Sequence, residues 1–233
     1  MEWSPKRFWT AATVAPEGDG FAVHLDGRPV RTPAKTPLIV PTEGLAKLIA
    51  SEWEAQTDAV RPDTMPATRS ANAALDKVAP QREAVVNEIA NYGGSDLLCY
   101  RADGPAELVG RQAAWDALLD WSRTHLDAPL DVTVGLIPIQ QPDASIARLR
   151  AHVSNLSSFE LAALHDLVAI SGSLILGLAV ANQRLKGAEA FEISRIDEAF
   201  QAETWGVDEE SSIVDARRRA SFLSAEAFFL LCR

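Results

Sequence analysis

The side chains best suited to metal binding or proton transfer are four histidines: His24, His125, His152 and His165. No two of them lie three to five residues apart, the spacing at which one helix offers two ligands to a metal ion. We therefore expect no metal site and no cofactor. Asp166 follows His165, and such a pair could form a general base with its orienting carboxylate. A satisfied polar pair near a helix start is the simpler interpretation, because a base needs a nucleophile or a substrate pocket.

The two cysteines, Cys99 and Cys232, show no arrangement for catalysis. Cys99 lies in the segment DLLCYR, where a buried cysteine behaves as a small hydrophobic side chain. Two cysteines without a CxxC spacing indicate a reducing compartment rather than a disulfide framework. The sequence also lacks the GxSxG of α/β-hydrolases and the glycine-rich loops that bind phosphate. These absences argue against an enzyme.

Trp205 is the most unusual apolar residue, since it lies in the acidic segment AFQAETWGVDEE. A tryptophan rimmed by polar groups is typical of an interface hot spot. The alternative is a tryptophan that closes a helix end on the chain's own core. Composition alone favours neither interpretation.

The net charge of −10 argues against nucleic acid or an anionic membrane as a partner, because phosphate groups repel an acidic protein. One long apolar stretch, residues 167–181, carries no charge, but it is shorter than the roughly 20 residues needed to span a bilayer. We expect a buried helix there and no membrane insertion. The first ten residues resemble neither a secretory signal nor a transit peptide, which favours a cytoplasmic location.

The first 42 residues predict a small antiparallel sheet. Asp26 and Gly27 separate two strand-like runs, and this dipeptide favours a type I′ hairpin turn, which needs positive φ at both positions. Thr42 is then expected to cap a helix that buries the stripe Leu45, Leu48, Ile49 and Trp53. We assign Trp53 to the core, at the join between the two parts. The predicted strands are residues 8–15 (ending at Pro16), 21–25, 28–32 and 38–40.

After a proline-containing connector at residues 58–66, the chain has a helical pattern almost throughout. Gly177 lies inside the longest predicted helix, where a glycine costs about 1 kcal/mol; close approach of a neighbouring helix would compensate. The expected fold class is therefore α+β, with a small antiparallel β-rich N-terminal domain (1–62) and a larger all-helical domain (63–233). The main predicted helices are residues 67–78, 80–92, 106–125 and 158–184, and two within 189–229 that are separated around Gly206 and Val207.

Five segments resemble one known family. They are RFW (residues 7–9), LDGRPVRTPAKTPLIVPT (25–42), LAKLIASEWEAQ (45–56), MPATR (65–69) and FQAETWGVDEE (200–210). The chain is identified by them as similar to the ATP synthase assembly chaperones, known in mitochondria as the assembly factor two family. The resemblance covers nearly the whole chain. Ser70 is a departure, since family members often carry an apolar residue there.

The resemblance implies a small β-rich domain, a larger helical domain and a chaperone activity without catalysis. Its implied partner is the free α subunit of the ATP synthase catalytic sector, whose subunit interface it would shield until the β subunit replaces it. It implies a cytoplasmic bacterial protein, with eukaryotic relatives in the mitochondrial matrix, and we expect a monomer. The partner-binding residues that we predict from it are Asp197, Glu198, Gln201, Trp205 and Gly206.

Two other functions compete with this prediction. An enzyme of unknown substrate would need a concave pocket with at least two titratable groups of shifted pKa. A scaffold for some other oligomer would differ from the chaperone in the protein that it captures.

Overall fold

The computed structural model describes residues 6–135, 137–206 and 209–233. A small antiparallel sheet near the N-terminus is followed by a mostly helical region, which confirms the α+β fold class. Within the described residues, no helix is both long and apolar enough to cross a membrane.

The chain divides into two compact units, and neither is a single stretch of sequence. The first comprises Met1–Arg82, Ser157–Ala163 and Ala227–Arg233, and the second comprises Glu83–Leu156 and Leu164–Glu226. The division into a β-rich domain (1–62) and a helical domain (63–233) stays a prediction.

Strand β2 is the centre of the N-terminal sheet, because β1 pairs with one of its edges and β3 and β4 pair with the other. The turn between β2 and β3 has φ angles of 48° at Asp26 and 78° at Gly27, which confirms the hairpin. Asp26 also accepts hydrogen bonds from the backbone N–H groups of Thr10 and Ala11. The strands are β1 (Ala12–Glu17), β2 (Gly20–Leu25), β3 (Arg28–Pro29) and β4 (Ile39–Val40).

The predicted strand ends were partly wrong. The first strand begins at Ala12 instead of residue 8, and Phe8 is exposed. This strand also continues through Pro16, which pairs with Phe21. Proline is tolerated there because β1 is an edge strand, where a missing N–H group breaks no ladder between central strands. The predicted run 28–32 shrinks to two residues.

The helices of the described chain are short, apart from the last one. Their bounds are α1 (Glu43–Glu54), α2 (Pro66–Ala73), α3 (Arg82–Asn91), α4 (Ala106–Gln112), α5 (Asp116–His125), α6 (Asp143–Ser154), α7 (Ser158–Ser171), α8 (Leu174–Ala181), α9 (Gly187–Ser194), α10 (Ile196–Trp205) and α11 (Glu209–Leu231). A π-helical turn (Ala74–Val78) and a 3-10 turn (Ala79–Gln81) link α2 to α3.

Helix α1 packs on the sheet and is capped as predicted, since the Thr42 hydroxyl accepts a hydrogen bond from the Leu45 N–H group. Leu45 and Ile49 are fully buried. Trp53 differs from its predicted place in the core: it is half-buried and packs edge-to-face on Trp9 in the first unit, with ring centroids 5.3 Å apart.

Glu52, by contrast, is buried, although its charge placed it outside the predicted apolar stripe. Its carboxylate accepts hydrogen bonds from the N–H groups of Ala67 and Thr68, at 2.7 and 2.8 Å, and from the Thr68 hydroxyl at 2.7 Å. A carboxylate at this place satisfies free N–H groups in the first turn of α2. The segments EWEAQ and MPATR are thus joined to each other inside the first unit.

Two later segments of the chain complete the first unit. The Arg233 guanidinium forms an ion pair with Glu160, with 2.6 Å between Nε and Oε1, and lies over the ring of Phe229. The Thr42 hydroxyl donates a hydrogen bond to the carbonyl oxygen of Leu231. The C-terminal residues therefore pack beside the start of α1.

The longest predicted helix, residues 158–184, is wrong as a single element, because it breaks into α7 and α8. Gly172 lies at the break with a φ of 71°, and Ser173 caps α8 by accepting a hydrogen bond from the Leu176 N–H group at 3.0 Å. Gly177 behaves as predicted: a Cβ atom there would lie 2.6 Å from Cγ2 of Val168 in α7. All residues of α8 are buried.

Two further differences concern the helical region. A two-stranded parallel sheet joins β5 (Tyr100–Arg101) to β6 (Thr133–Val134) within it. The predicted pair of helices in 189–229 is three helices, because Arg195 ends α9 before α10 begins. Gly206 ends α10 with a φ of 89°, as the predicted break requires, and Val207 lies outside the described residues.

Candidate partner-binding surface

The predicted binding residues lie on or directly after α10, a ten-residue helix without a single buried residue. Ile196 and Phe200 are half-buried on its inner side. Glu198, Gln201 and Trp205 are exposed. The helix therefore offers most of its surface to solvent and has little apolar area of its own to hold it.

Among the described residues of the second unit, Trp205 is the most exposed large apolar side chain, with 77 % of its surface accessible. It occupies the last position of α10, and Gly206 follows in a left-handed conformation that ends the helix. The alternative that Trp205 closes the helix end on the chain's own core is therefore wrong. An exposed indole ring beside polar groups is the arrangement found at interface hot spots.

Asp197, one of the predicted partner-binding residues, is already engaged within the second unit. It is half-buried and accepts a hydrogen bond of 2.7 Å from the side-chain amide of Gln112 in α4. Gln112 is itself almost fully buried, and its amide oxygen accepts a hydrogen bond from the Ala102 N–H group. This second bond fixes the amide so that its NH2 group points at Asp197.

Glu198 belongs to a small network of charges at the start of α10. Its carboxylate is 2.5 Å from the Arg195 guanidinium, whose Nε atom is also 3.1 Å from Asp215 of α11. Glu198 remains exposed despite this ion pair, so it can still meet a partner. The Arg195 guanidinium thus lies close to the carboxylates of both Glu198 and Asp215.

Arg111 of α4 is a residue that the sequence analysis missed. Its guanidinium donates hydrogen bonds of 2.9 and 2.7 Å to the two carboxylate oxygens of Glu203, and one of 2.7 Å to Glu107. It also lies over the ring of Phe200, 5.3 Å from the centroid. The hydrogen bonds to Arg111 lower the pKa of Glu203, and those to Glu203 and Glu107 raise the pKa of Arg111. Both ends of the pair are therefore charged at neutral pH.

The exposed apolar pair Ile213 and Val214, at 47 % and 42 %, was also missed. These residues follow Trp205 in the chain, on the first turns of α11, where nearly every residue from Glu209 to Ser221 is exposed. An open groove lies there, lined by Arg195, Glu210, Ser211, Val214, Asp215 and Arg218. The signal in the sequence was two adjacent β-branched residues within a charged helix.

The side chains considered for catalysis lie in other surroundings. His165 is near Asp166 and Glu88, at 3.3 and 3.6 Å, and the hydrogen bond to Asp166 raises its pKa. Burial raises the pKa values of the Cys99 and Cys232 thiols to about 12, which suppresses the reactive thiolate. Within residues 6–135, 137–206 and 209–233, no cluster of three His, Cys, Asp or Glu side chains could hold a metal ion.

Among the carboxylates of the described residues, only that of buried Asp96 has a strongly raised pKa, of about 6, because burial disfavours its charge. Its oxygens accept hydrogen bonds from the N–H groups of Leu98 and Ile175, so it is tied to the start of α8. We therefore assign the Asp96 carboxylate a structural role, because it is fully buried and bonded to backbone N–H groups.

Comparison with known proteins identifies the family. The family model described as ATP12 chaperone protein matches residues 6–123. The chain is 25 % identical over 240 residues to the mitochondrial protein atp12 of Schizosaccharomyces pombe, covering 97 % of this chain and 82 % of the relative.

Solved structures agree with that match. The crystal structure of Atp12 from Paracoccus denitrificans has a TM-score of 0.94 at 51 % identity, covering 98 % of this chain and 99 % of the other. The Atu1473 protein of Agrobacterium tumefaciens also has a TM-score of 0.94, at 40 % identity, covering 98 % and 87 %. Because the family model spans half of the chain and the structural matches span nearly all of it, this chain belongs to the ATP12 family of ATP synthase assembly chaperones.

Proposed function

We propose that this chain binds the free α subunit of the ATP synthase catalytic sector and shields its subunit interface until the β subunit takes its place. Family membership supplies the role in ATP synthase assembly. The choice of the α subunit rests on the resemblance described above. The chain acts by binding, without catalysing a reaction.

The observation that carries the proposal is the exposure of Trp205 on a helix without buried residues. Leaving an indole ring in water is unfavourable by about 25 cal/mol for each Å² of apolar surface. Contiguous exposed apolar surface in a folded protein marks an interaction site. Ile213 and Val214 are further exposed apolar side chains, on α11. We propose that these three side chains meet the apolar interface of the free subunit.

The polar predicted residues then form the rim of the surface. Glu198 and Gln201 are exposed one turn apart on α10, and Gly206 follows Trp205. Polar rim residues set orientation and on-rate more than affinity. A basic or amide-rich edge on the partner would complement Glu198. Asp197 contributes by holding α10 through Gln112 rather than by direct contact.

A reversible cap fits the assembly role better than a permanent one. Because the exposed side chains form a small set, the β subunit can displace the chaperone from the α subunit by offering a larger interface. The net charge of −10 keeps the free chaperone soluble and self-repelling, which agrees with a monomer. We place the protein in the bacterial cytoplasm, where the subunits are made.

The direct test is binding of purified chain to purified α subunit, followed by light scattering of the subunit during dilution from denaturant. We expect a one-to-one complex and reduced aggregation without added nucleotide. The β subunit of the same ATP synthase serves as the specificity control. If α-subunit aggregation is unchanged with the chaperone in excess, the proposal is wrong.

Two variants locate the surface. Trp205→Ala should weaken binding at least tenfold, because truncation of a hot-spot tryptophan costs about 2 kcal/mol or more. Glu198→Lys should weaken it by reversing a rim charge, with the fold intact. Phe8→Ala is the matched control, since Phe8 is an aromatic residue with 68 % exposure in the first unit. Equal affinities of wild type and Trp205→Ala would move the interface away from α10.

A further inference from the structure

Helix α10 is held to the rest of the second unit mainly through polar contacts from α4. Gln112 of α4 donates a hydrogen bond to Asp197 in the first turn of α10, and Arg111 of α4 donates hydrogen bonds to Glu203 about two turns later. These two neighbouring residues of α4 therefore hold α10 near both of its ends. A helix that buries no residue has little apolar driving force to fix its orientation, so such contacts decide how it lies.

Arg111 makes more contacts that can fix the orientation of α10 than a single surface ion pair would provide. Both carboxylate oxygens of Glu203 receive a hydrogen bond from it, through Nη1 and Nη2, which fixes direction as well as distance. Its guanidinium also covers the ring of Phe200 within the range of a cation–π contact. Glu107, one turn earlier on α4, also accepts a hydrogen bond from Nη2 of Arg111, at 2.7 Å.

The contacts of Arg111 fall on the side of α10 that faces α4, at Phe200 and Glu203, while Trp205 follows Glu203 by two residues. Two residues correspond to a rotation of about 200° around the helix axis. Fixing Glu203 against α4 thus directs Trp205 away from α4 and toward solvent. If the ion pair between Arg111 and Glu203 is broken, α10 can rotate about its axis. Trp205 then no longer points into solvent.

We propose that Arg111 is a positioning residue for partner binding, which holds α10 through Glu203 and Phe200 so that Trp205 is presented to the partner. This inference rests on the proposed function. Arg111 needs no contact with the partner, and its effect passes through the orientation of α10. Part of the binding surface is thus determined by a helix that lies about 90 residues earlier in the chain.

A charge exchange separates positioning from direct contact. Arg111→Glu and Glu203→Arg, each alone, should weaken affinity for the α subunit about five- to tenfold, as expected for coupled residues in one network. The double variant Arg111→Glu/Glu203→Arg restores an ion pair with the charges exchanged. We expect its affinity to return to within about threefold of wild type. Direct contact of Glu203 with the partner would leave the double variant as weak as Glu203→Arg.

Arg150→Glu is the matched control, because Arg150 pairs with Glu83 of another helix at 2.7 Å and lies apart from α10 in sequence and contacts. It makes the same change of net charge and should leave affinity unchanged. Hydrogen exchange of the full chain supplies a second measurement. Arg111→Glu should speed exchange of the amides in 196–205 without lowering the melting temperature of the whole protein.

The outcomes distinguish the two proposals. If wild-type protein binds no ATP synthase subunit, the proposed function fails, while faster exchange in α10 still reports the hold by Arg111. If wild-type protein binds and Arg111→Glu binds equally well, the positioning role is overturned. A loss of affinity shared by Arg150→Glu would attribute the effect to net charge and would also overturn it.

Discussion

Replacing Glu52 by glutamine tests how the first unit is held together. Glutamine keeps the volume and one carbonyl oxygen but puts an NH2 group in place of the other oxygen. If the carbonyl keeps its bonds to Thr68, the new NH2 group faces the Ala67 N–H group, which now lies 2.7 Å from a carboxylate oxygen. Two donors then face each other in a buried site.

The cost follows from the bonds that are lost. A hydrogen bond to a charged group contributes about 1.5–3 kcal/mol to stability. The negative charge at the start of α2 adds about 0.3–1 kcal/mol through the helix dipole. We therefore expect Glu52→Gln to lower the free energy of unfolding by about 2–4 kcal/mol. Glu52→Ala removes all three bonds and should cost more.

Urea unfolding followed by tryptophan fluorescence measures this change, because Trp53 adjoins Glu52 and packs on Trp9. Glu43→Gln is the control on the same helix: Glu43 is exposed and pairs with Lys47 at the surface, so its loss should cost less than about 1 kcal/mol. If Glu52→Gln unfolds within 0.5 kcal/mol of wild type, roughly the error of such experiments, the buried cap is not what holds α2 to α1.

Three further substitutions probe the second unit. Gly177→Ala should lower the melting temperature, because the added methyl group would lie 2.6 Å from Val168 and overpacking costs about 1–3 kcal/mol. Differential scanning calorimetry measures the melting temperature of both proteins. Gly172→Ala should lower the free energy of unfolding by about 1 kcal/mol, because φ is 71° at this position. The site has room for a methyl group, so urea unfolding should show no larger loss of stability. The pKa of Asp96 rises from 3.8 to about 6, so its folded form retains a proton that the unfolded form loses, and wild-type stability should fall as pH rises through this window. Asp96→Asn should abolish that fall, and parallel curves of stability against pH would contradict the assignment.

Local features of the fold were predictable because their causes are local. The turn at Asp26 and Gly27 and the cap at Thr42 each need only a few neighbouring residues to specify their geometry. The two glycines of the long apolar stretch show the limit of prediction from neighbouring residues. Gly177 permits a close helix contact and Gly172 a left-handed break, but both look alike within a uniformly apolar sequence.

The candidate surface was predictable in part for the same reason. An acidic segment around Trp205 suggested exposure, and the ring is exposed. The engagement of Asp197 was not predictable, since its partner Gln112 lies 85 positions away. Arg111 was missed likewise, because one arginine in a helical pattern carries no mark of the Glu203 that it will bind. Long-range polar pairs of this kind depend on the tertiary fold.

The three-part composition of the first unit has a consequence for biosynthesis. Residues 1–82 leave the ribosome well before residues 227–233, yet Thr42 and Glu160 bond to Leu231 and Arg233 within that unit. The N-terminal sheet and α1 can form while translation continues, but their final packing must wait until residues 227–233 have been made. The first unit thus reaches its final packing only after every residue of the second unit has been made.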